Sequence, residues 1–179
     1  MNATLKKYEN QKVKEAILYV LNQTGVISYF ELMKTLFCAD RANLKRWGDP
    51  VTCLTYYARE HGPVPVSVYQ SIKYPKPGRD FDFSDTLERV GDYNVTPLRK
   101  ANEDYLSQSD KESLDYAIKE LGGKDYKEIE RYLHESVYER LYATKSKRYT
   151  NADIAATDGA TEQMIIRIKE NEKIASLLS

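Results

Sequence analysis

The chain has 179 residues, of which 30% are charged, and its 27 Lys and Arg balance its 27 Asp and Glu. This length favours one domain with a proper core, and a second domain is not expected. Because the net charge is zero, the chain lacks the long-range attraction to nucleic acid or a membrane surface that a basic protein has, so neither is expected as a partner.

Cysteine content and hydropathy favour a cytoplasmic protein. Cys38 and Cys53 are the only cysteines, which gives no disulfide framework, and free thiols are the default in a reducing compartment. No apolar run approaches the roughly 18 residues that span a bilayer. The lysine-rich segment 1–14 has no apolar core and does not have the form of a secretory signal.

Tyrosine is the unusual component of the composition. The chain has 15 tyrosines, against four phenylalanines and one tryptophan. Each tyrosine combines a large apolar body with a polar tip. The excess therefore favours either a protein that buries aromatic surface against a partner or a small core with wet edges.

The first part of the chain predicts two long helices, then a short strand and a short helix. Apolar residues at helical spacing predict a first helix from about Thr4 to Gln23. Ser28 to Glu31 has the form of a capping box, which begins a second helix that ends near Trp47. Val51 to Arg59 is rich in β-branched and aromatic residues and predicts an extended segment or small strand. A short third helix follows from about Pro65 to Lys73, since proline fits the first turn of a helix.

The middle of the chain predicts a loop and a β-hairpin. Proline, glycine and aspartate punctuate residues 75–85, which predicts an exposed loop. Thr86 to Val90 and Tyr93 to Leu98 flank Gly-Asp, as the strands of a hairpin do. Pro97 lacks an N–H group, so we expect it to confine the second strand to an edge of its sheet.

The last part of the chain predicts three more helices. Ser109 to Glu112 resembles a second capping box, which begins a helix ending at Leu121. Helical spacing predicts another helix over roughly Asp125 to Tyr142, and a last one from about Thr161 to Leu178. A basic connector, 144–150, joins those two. The pattern as a whole predicts a mainly α, single-domain helical bundle over residues 1–179, with a small β-hairpin or short strands.

One carboxylate lies on the apolar stripe of the predicted second helix. At about 100° per residue, that stripe contains Met33, Leu36, Phe37, Asp40, Leu44 and Trp47. An ionised Asp40 buried there without donors would be strongly unfavourable. We expect donors from Arg41, from His61, from tyrosine hydroxyls or from backbone N–H groups near Gly62. Asp40 is either a structural anchor, which we favour, or a catalytic acid.

Metal and nucleotide chemistry have little support in the sequence. The available soft ligands are Cys38, Cys53, His61 and His134. They form no short ligand pair, so no metal site is expected. The glycine-rich loops that cradle phosphates are absent, and no cofactor is expected. Three basic residues within 145–148 are too few to indicate specific nucleic-acid binding.

Several ordered motifs between Leu32 and Pro65 resemble one family. They are Leu32 to Arg41, Gly48 to Thr52, Tyr57-Ala58 and His61 to Pro65. Their order and spacing look like the core motif of the Panacea domain family, the SocA-like antitoxins that are often associated with phages. Leu106-Ser107 before a helix and His134-Glu135 on the next agree more loosely with that pattern.

The resemblance implies a mostly helical antitoxin, not an enzyme, that neutralises a protein toxin encoded beside it by direct binding. The residues that match the motif are Asp40, Arg41, Tyr57, His61, Gly62, Pro63, Val64 and Pro65. We expect these to be structural. Partner contacts are predicted at Tyr56, Arg59, Tyr69, Tyr74 and His134. A homo-oligomer is also left open.

Two rival functions remain. The protein could act as an adaptor that delivers a toxin to a protease. Measuring the half-life of the toxin with and without this protein would distinguish delivery from simple neutralisation. It could instead be an enzyme that uses Asp40 and His61 as an acid/base pair. The enzyme hypothesis predicts that Asp40→Asn abolishes activity in a folded protein, whereas the structural hypothesis predicts loss of stability first.

Overall fold

The computed structural model describes residues 3–177, and these form eight α-helices and five short strands. The helices are α1 (Ala3–Thr24), α2 (Tyr29–Trp47), α3 (Val66–Lys73), α4 (Gln108–Leu121), α5 (Tyr126–Leu133), α6 (Ser136–Tyr142), α7 (Asn151–Ala156) and α8 (Glu162–Leu177). The strands are β1 (Ile27–Ser28), β2 (Tyr56–Arg59), β3 (Gly62–Pro65), β4 (Leu87–Val90) and β5 (Asn94–Pro97). The predicted mainly α fold with short strands is confirmed. No helix within residues 3–177 has the length and apolar character required to cross a membrane.

Helix α2 is the centre of the molecule. Ser28 caps its start by accepting a hydrogen bond from the Glu31 backbone N–H, and Gly48 ends it in a left-handed conformation with φ 86°. The helix packs against α1, α3, α4, α5 and α7, so it is buried on nearly every side rather than along one stripe. Trp47, at the end of the predicted stripe, is an exception because its side chain is 48% exposed.

The three-stranded sheet corrects one prediction about β5. The predicted hairpin of β4 and β5 is confirmed, with Leu87 opposite Pro97. However, β1 adds to the other side of β5, so that β5 is the middle strand and not an edge. The register explains why Pro97 is tolerated there. Strand β1 pairs only with Asn94 and Val95, and therefore ends before it would need an N–H from Pro97.

Strands β2 and β3 form a second, two-stranded sheet that we call the Gly-Pro hairpin. Tyr57 lies opposite Val64, and the chain turns at Glu60 and His61. The sequence predicted an extended segment at β2 but not the pairing with β3. The outer edge of β2 is also paired, because the Ala58 N–H donates to the Lys147 carbonyl and Tyr57 bridges to Arg148.

In the second half of the chain, two helical predictions were wrong in detail and one helix was missed. The capping box of α4 is formed by Ser107 and Asp110, two residues before the predicted one. The single helix predicted over 125–142 is broken into α5 and α6, because the Glu135 side chain accepts hydrogen bonds from backbone N–H groups and so begins a new helix. Helix α7 was not predicted. The predicted end of the last helix, Leu178, lies outside the described residues.

The predicted exposed loop, 75–85, is only partly exposed. Phe81 and Phe83 stack with ring centroids 5.3 Å apart, and both are buried. They join the hydrophobic core, which extends from α1 and α2 through α4 to α8. Turn formers predicted the loop correctly, but two alternate aromatic residues fasten it to the core.

Candidate functional site

Asp40 is fully buried and well supplied with hydrogen-bond donors. Its Oδ1 accepts from the Thr52 backbone N–H at 2.8 Å, and its Oδ2 accepts from the Thr52 hydroxyl and from the Tyr56 hydroxyl, the latter at 2.7 Å. The predicted burial and the predicted tyrosine donor are confirmed. The other predicted donors, Arg41, His61 and backbone N–H groups near Gly62, were wrong, because Thr52, in the segment directly after α2, supplies the remaining hydrogen bonds.

The surroundings of Asp40 favour an anchor over an acid catalyst. Burial raises the pKa of Asp40, while the hydrogen bonds from Thr52 and Tyr56 oppose that rise. Burial together with the neighbouring carboxylate also raises the pKa of Tyr56 well above its usual value. His61 is exposed, and its Nδ1 lies 2.8 Å from a Glu130 carboxylate oxygen. An Asp40–His61 acid/base pair is therefore not formed.

Arg41 is also buried, on another side of α2. Its guanidinium lies 4.9 Å from the centroid of the Tyr132 ring and donates a hydrogen bond to the Tyr132 hydroxyl. Its Nε has no hydrogen-bond partner among the described residues. The guanidinium thus links α2 to α5, and the structural role of Arg41 stays a prediction.

Lys34 ties α2 to the Gly-Pro hairpin and was missed by the sequence analysis. Its side chain is fully buried, and Nζ donates to the Pro63 carbonyl at 2.7 Å. Gly62 adopts φ +92°, and a Cβ placed there would lie 3.2 Å from Lys34 Nζ and 3.7 Å from the His134 ring. Glycine is therefore required at this position both for its backbone conformation and for the close approach of the amine.

Two polar groups next to the hairpin, Lys34 and His134, have displaced pKa values. Burial lowers the pKa of Lys34 to about 7, an effect that Cys38 and Glu130 oppose. Burial likewise lowers the pKa of His134, and the nearby Lys34 acts in the same direction. The His134 ring stacks on Tyr138 at 4.1 Å, and its buried Nε2 has no partner within residues 3–177.

We expect the buried amine to make stability depend on pH. Above about pH 7 the folded protein releases the Lys34 proton, whereas the unfolded chain keeps it to about pH 10.4. The unfolded state then binds more protons, so the free energy of unfolding should rise with pH in this window, by at most about 1.4 kcal/mol per pH unit.

The variant Lys34→Met isolates this effect, since methionine has a similar shape and does not titrate. Urea unfolding of both proteins from about pH 7 to about pH 10 gives the difference in unfolding free energy. That difference should grow in favour of the wild type as pH rises. A difference that stays constant with pH would show that the amine does not titrate there.

An open groove lies beside the hairpin and has an aromatic lining. Its aromatic residues are Tyr29, Phe30, Tyr69, Tyr93, Tyr126 and Tyr142, and we call it the tyrosine groove. Its volume is about 790 Å³. The ring centroids of Tyr29 and Tyr69 are 6.0 Å apart, and those of Phe30 and Tyr126 are 4.3 Å apart. Five separate parts of the chain therefore contribute to one aromatic surface.

The predicted partner residues divide between this groove and other places. Arg59 and Tyr69 line the groove, as do the motif residues His61 and Val64. Tyr74 is exposed but is not part of the lining.

Two of the predicted partner residues, Tyr56 and His134, do not line the groove. The structure places Tyr56 in the core, where its hydroxyl serves Asp40. His134 is half-buried next to Gly62 of the hairpin. Of the remaining motif residues, Tyr57 is half-buried in β2, while Pro63 and Pro65 are buried in β3.

Metal chemistry has no support in the described part of the chain. Within residues 3–177, no three His, Cys, Asp or Glu side chains converge in a way that could hold a metal ion. Cys38 is buried, and burial raises its pKa to about 11, so this thiol is not an activated nucleophile.

Fold and site together define a mainly α-helical protein. Its motif residues Asp40 and Arg41 are buried and hydrogen-bonded in the core, and an open aromatic groove lies beside the Gly-Pro hairpin. Residues 32–139 match the family described as antitoxin SocA-like, Panacea domain. The match covers more than half of the chain, from α2 to α6, and the chain belongs to this family. No curated protein and no solved structure matched the chain.

Proposed function

We propose that the protein is an antitoxin that neutralises a cognate protein toxin, encoded by the adjacent gene, by binding it directly in the cytoplasm. Membership of the SocA-like Panacea antitoxin family carries this proposal. Neutralisation by binding needs affinity and shape, and no catalytic group.

The position of the motif supports a binding role over an enzymatic one. Asp40 has no exposed surface and is held by Thr52 and Tyr56, so a substrate has no access to it. Two side chains hold the Gly-Pro hairpin: Lys34 donates to the Pro63 carbonyl, and the Tyr138 hydroxyl donates to the Arg59 carbonyl at 2.9 Å. A motif fixed in this way would hold a binding surface in one shape, which lowers the entropy lost on association.

Co-expression with the adjacent gene tests the proposal. Inducing that gene alone should arrest growth, and inducing both genes should restore growth and yield a complex that co-purifies. An adjacent gene that is not toxic, or a chain that neither restores growth nor binds the product, would refute it.

Toxin half-life separates neutralisation from delivery to a protease. Under neutralisation, the toxin should persist in the complex after synthesis is stopped. Rapid loss of toxin that depends on this protein would favour the adaptor. The enzyme hypothesis would instead require that a folded Asp40→Asn variant fails to protect cells while it still binds the toxin.

A further inference from the structure

The tyrosine groove has the chemical character of a protein-binding site. More than half of its lining residues are aromatic or aliphatic, including Met33, Val64 and Val66. Tyr93 is 68% exposed and Tyr126 is 44% exposed, so large aromatic area remains available to a partner. Tyrosine is enriched in interfaces and among the residues that dominate binding energy.

Besides the buried Lys34, three cations line the groove, and none of the three has an acidic partner among the described residues. Arg59, Lys73 and Lys147 line it, and within residues 3–177 none of them forms an ion pair. The only acidic side chain on the described lining is Glu60. The groove is therefore locally basic, although the chain as a whole has no net charge.

Two of these cations, Lys73 and Lys147, lie against tyrosine rings of the groove. Lys147 Nζ lies 3.9 Å from the centroid of Tyr142. Lys73 Nζ lies 5.2 Å from the centroid of Tyr69 and donates to its hydroxyl at 2.7 Å. Positions restricted in this way reduce the side-chain entropy that would be lost when an anion binds.

From these observations we infer that the tyrosine groove binds an acidic segment of the partner toxin, whose carboxylates pair with Arg59, Lys73 and Lys147 while its apolar side chains pack on the rings. The inference rests on the proposed function and names the face and the partner chemistry that it uses. Three cations next to one carboxylate are too few for tight binding of a phosphate backbone, whereas they match a short acidic peptide with apolar positions.

Matched variants test the groove in the full-length protein, with the purified product of the adjacent gene as probe. The charge reversal Lys73→Glu/Lys147→Glu is compared with Lys100→Glu/Lys119→Glu, two exposed lysines outside the groove lining. Tyr126→Ala is compared with Tyr116→Ala, because these tyrosines are 44% and 43% exposed and only the first lines the groove. Thermal melting confirms that each variant is folded.

We expect each groove variant to raise the Kd about tenfold or more, equivalent to about 1.4 kcal/mol of binding free energy, and each control to change it by less than about twofold. Added salt should weaken binding of the wild type more than that of the charge-reversed protein. Synthetic peptides that tile the product should bind the wild type only where they are acidic.

Four results would overturn the inference, and the first three leave the antitoxin proposal intact. The groove variants could bind the product like the wild type, which would place the binding face elsewhere. The acidic peptides could fail to bind while neutral or basic ones do. Light scattering could instead show that the charge reversal dissociates a homodimer without altering toxin affinity, which would make the groove a self-association face. If the wild type does not bind the product at all, the proposed function fails as well.

Discussion

Asp40→Ala should lower the free energy of unfolding by about 3 kcal/mol or more. The substitution leaves the Thr52 N–H, the Thr52 hydroxyl and the Tyr56 hydroxyl without their acceptor in a fully buried site. Each buried donor that loses its partner costs about 1–3 kcal/mol, and the lost side chain adds a small cavity. Urea unfolding followed by circular dichroism measures the change.

Asp49→Ala is the matched control, since Asp49 is an exposed aspartate just beyond the end of α2. It should change the free energy of unfolding by less than about 0.5 kcal/mol. An Asp40→Ala protein as stable as this control would remove the structural role assigned to the motif. If an Asp40→Asn variant remains folded and still protects growth, Asp40 is structural and not a catalytic acid.

Gly62→Ala should also be strongly destabilising, by about 2–4 kcal/mol. Alanine at φ +92° is strained whatever its surroundings, and its Cβ would come within 3.2 Å of Lys34 Nζ. The amine cannot easily move away, because it is buried and donates to the Pro63 carbonyl. Chemical denaturation of the variant gives the loss in stability.

Gly78→Ala is the matched control. Gly78 has φ +81°, close to that of Gly62, but a Cβ there would meet no atom within 4 Å, so its substitution reports mainly backbone strain. Gly62→Ala should cost about 1 kcal/mol more than Gly78→Ala. The excess should shrink when Gly62→Ala is combined with Lys34→Met, and equal costs at the two glycines would contradict a contact with the amine.

The sequence predicts most accurately those structural features that depend on residues close together in the chain. Helix α2 begins at Tyr29 and ends at Trp47, as expected, because its two ends are marked locally by Ser28 and Gly48. The spacing of apolar residues also placed Asp40 inside the helix bundle. Caps and periodicity act within a few residues, so a single sequence contains them in readable form.

The sequence did not predict contacts between residues that are far apart in the chain. Lys34 meets Pro63 across 29 positions, and nothing in the pattern distinguishes this lysine from the exposed ones. Glu15 is similar. It lies buried in α1, where Arg99 and the Asn102 N–H donate to its carboxylate, and these bonds lower its pKa although burial opposes them.

The tyrosine groove shows the same limit. The excess of tyrosine indicated aromatic surface, and Tyr69 was predicted to contact a partner. Tyr126 and Tyr142 were not, because they come from α5 and α6, which only the folded chain brings next to the start of α2.

The pairing of the Gly-Pro hairpin with residues 147–149 has a practical consequence for truncated forms of the protein. The family match ends at residue 139, yet the Ala58 N–H bonds to Lys147 and the Tyr149 N–H bonds to Tyr56 beyond that point. A fragment cut at the end of the match would leave the outer edge of β2 unpaired and expose Phe37, against which the Tyr149 ring packs. Such edges pair readily with other chains, so expression designs should retain residues 140–177, up to the end of α8.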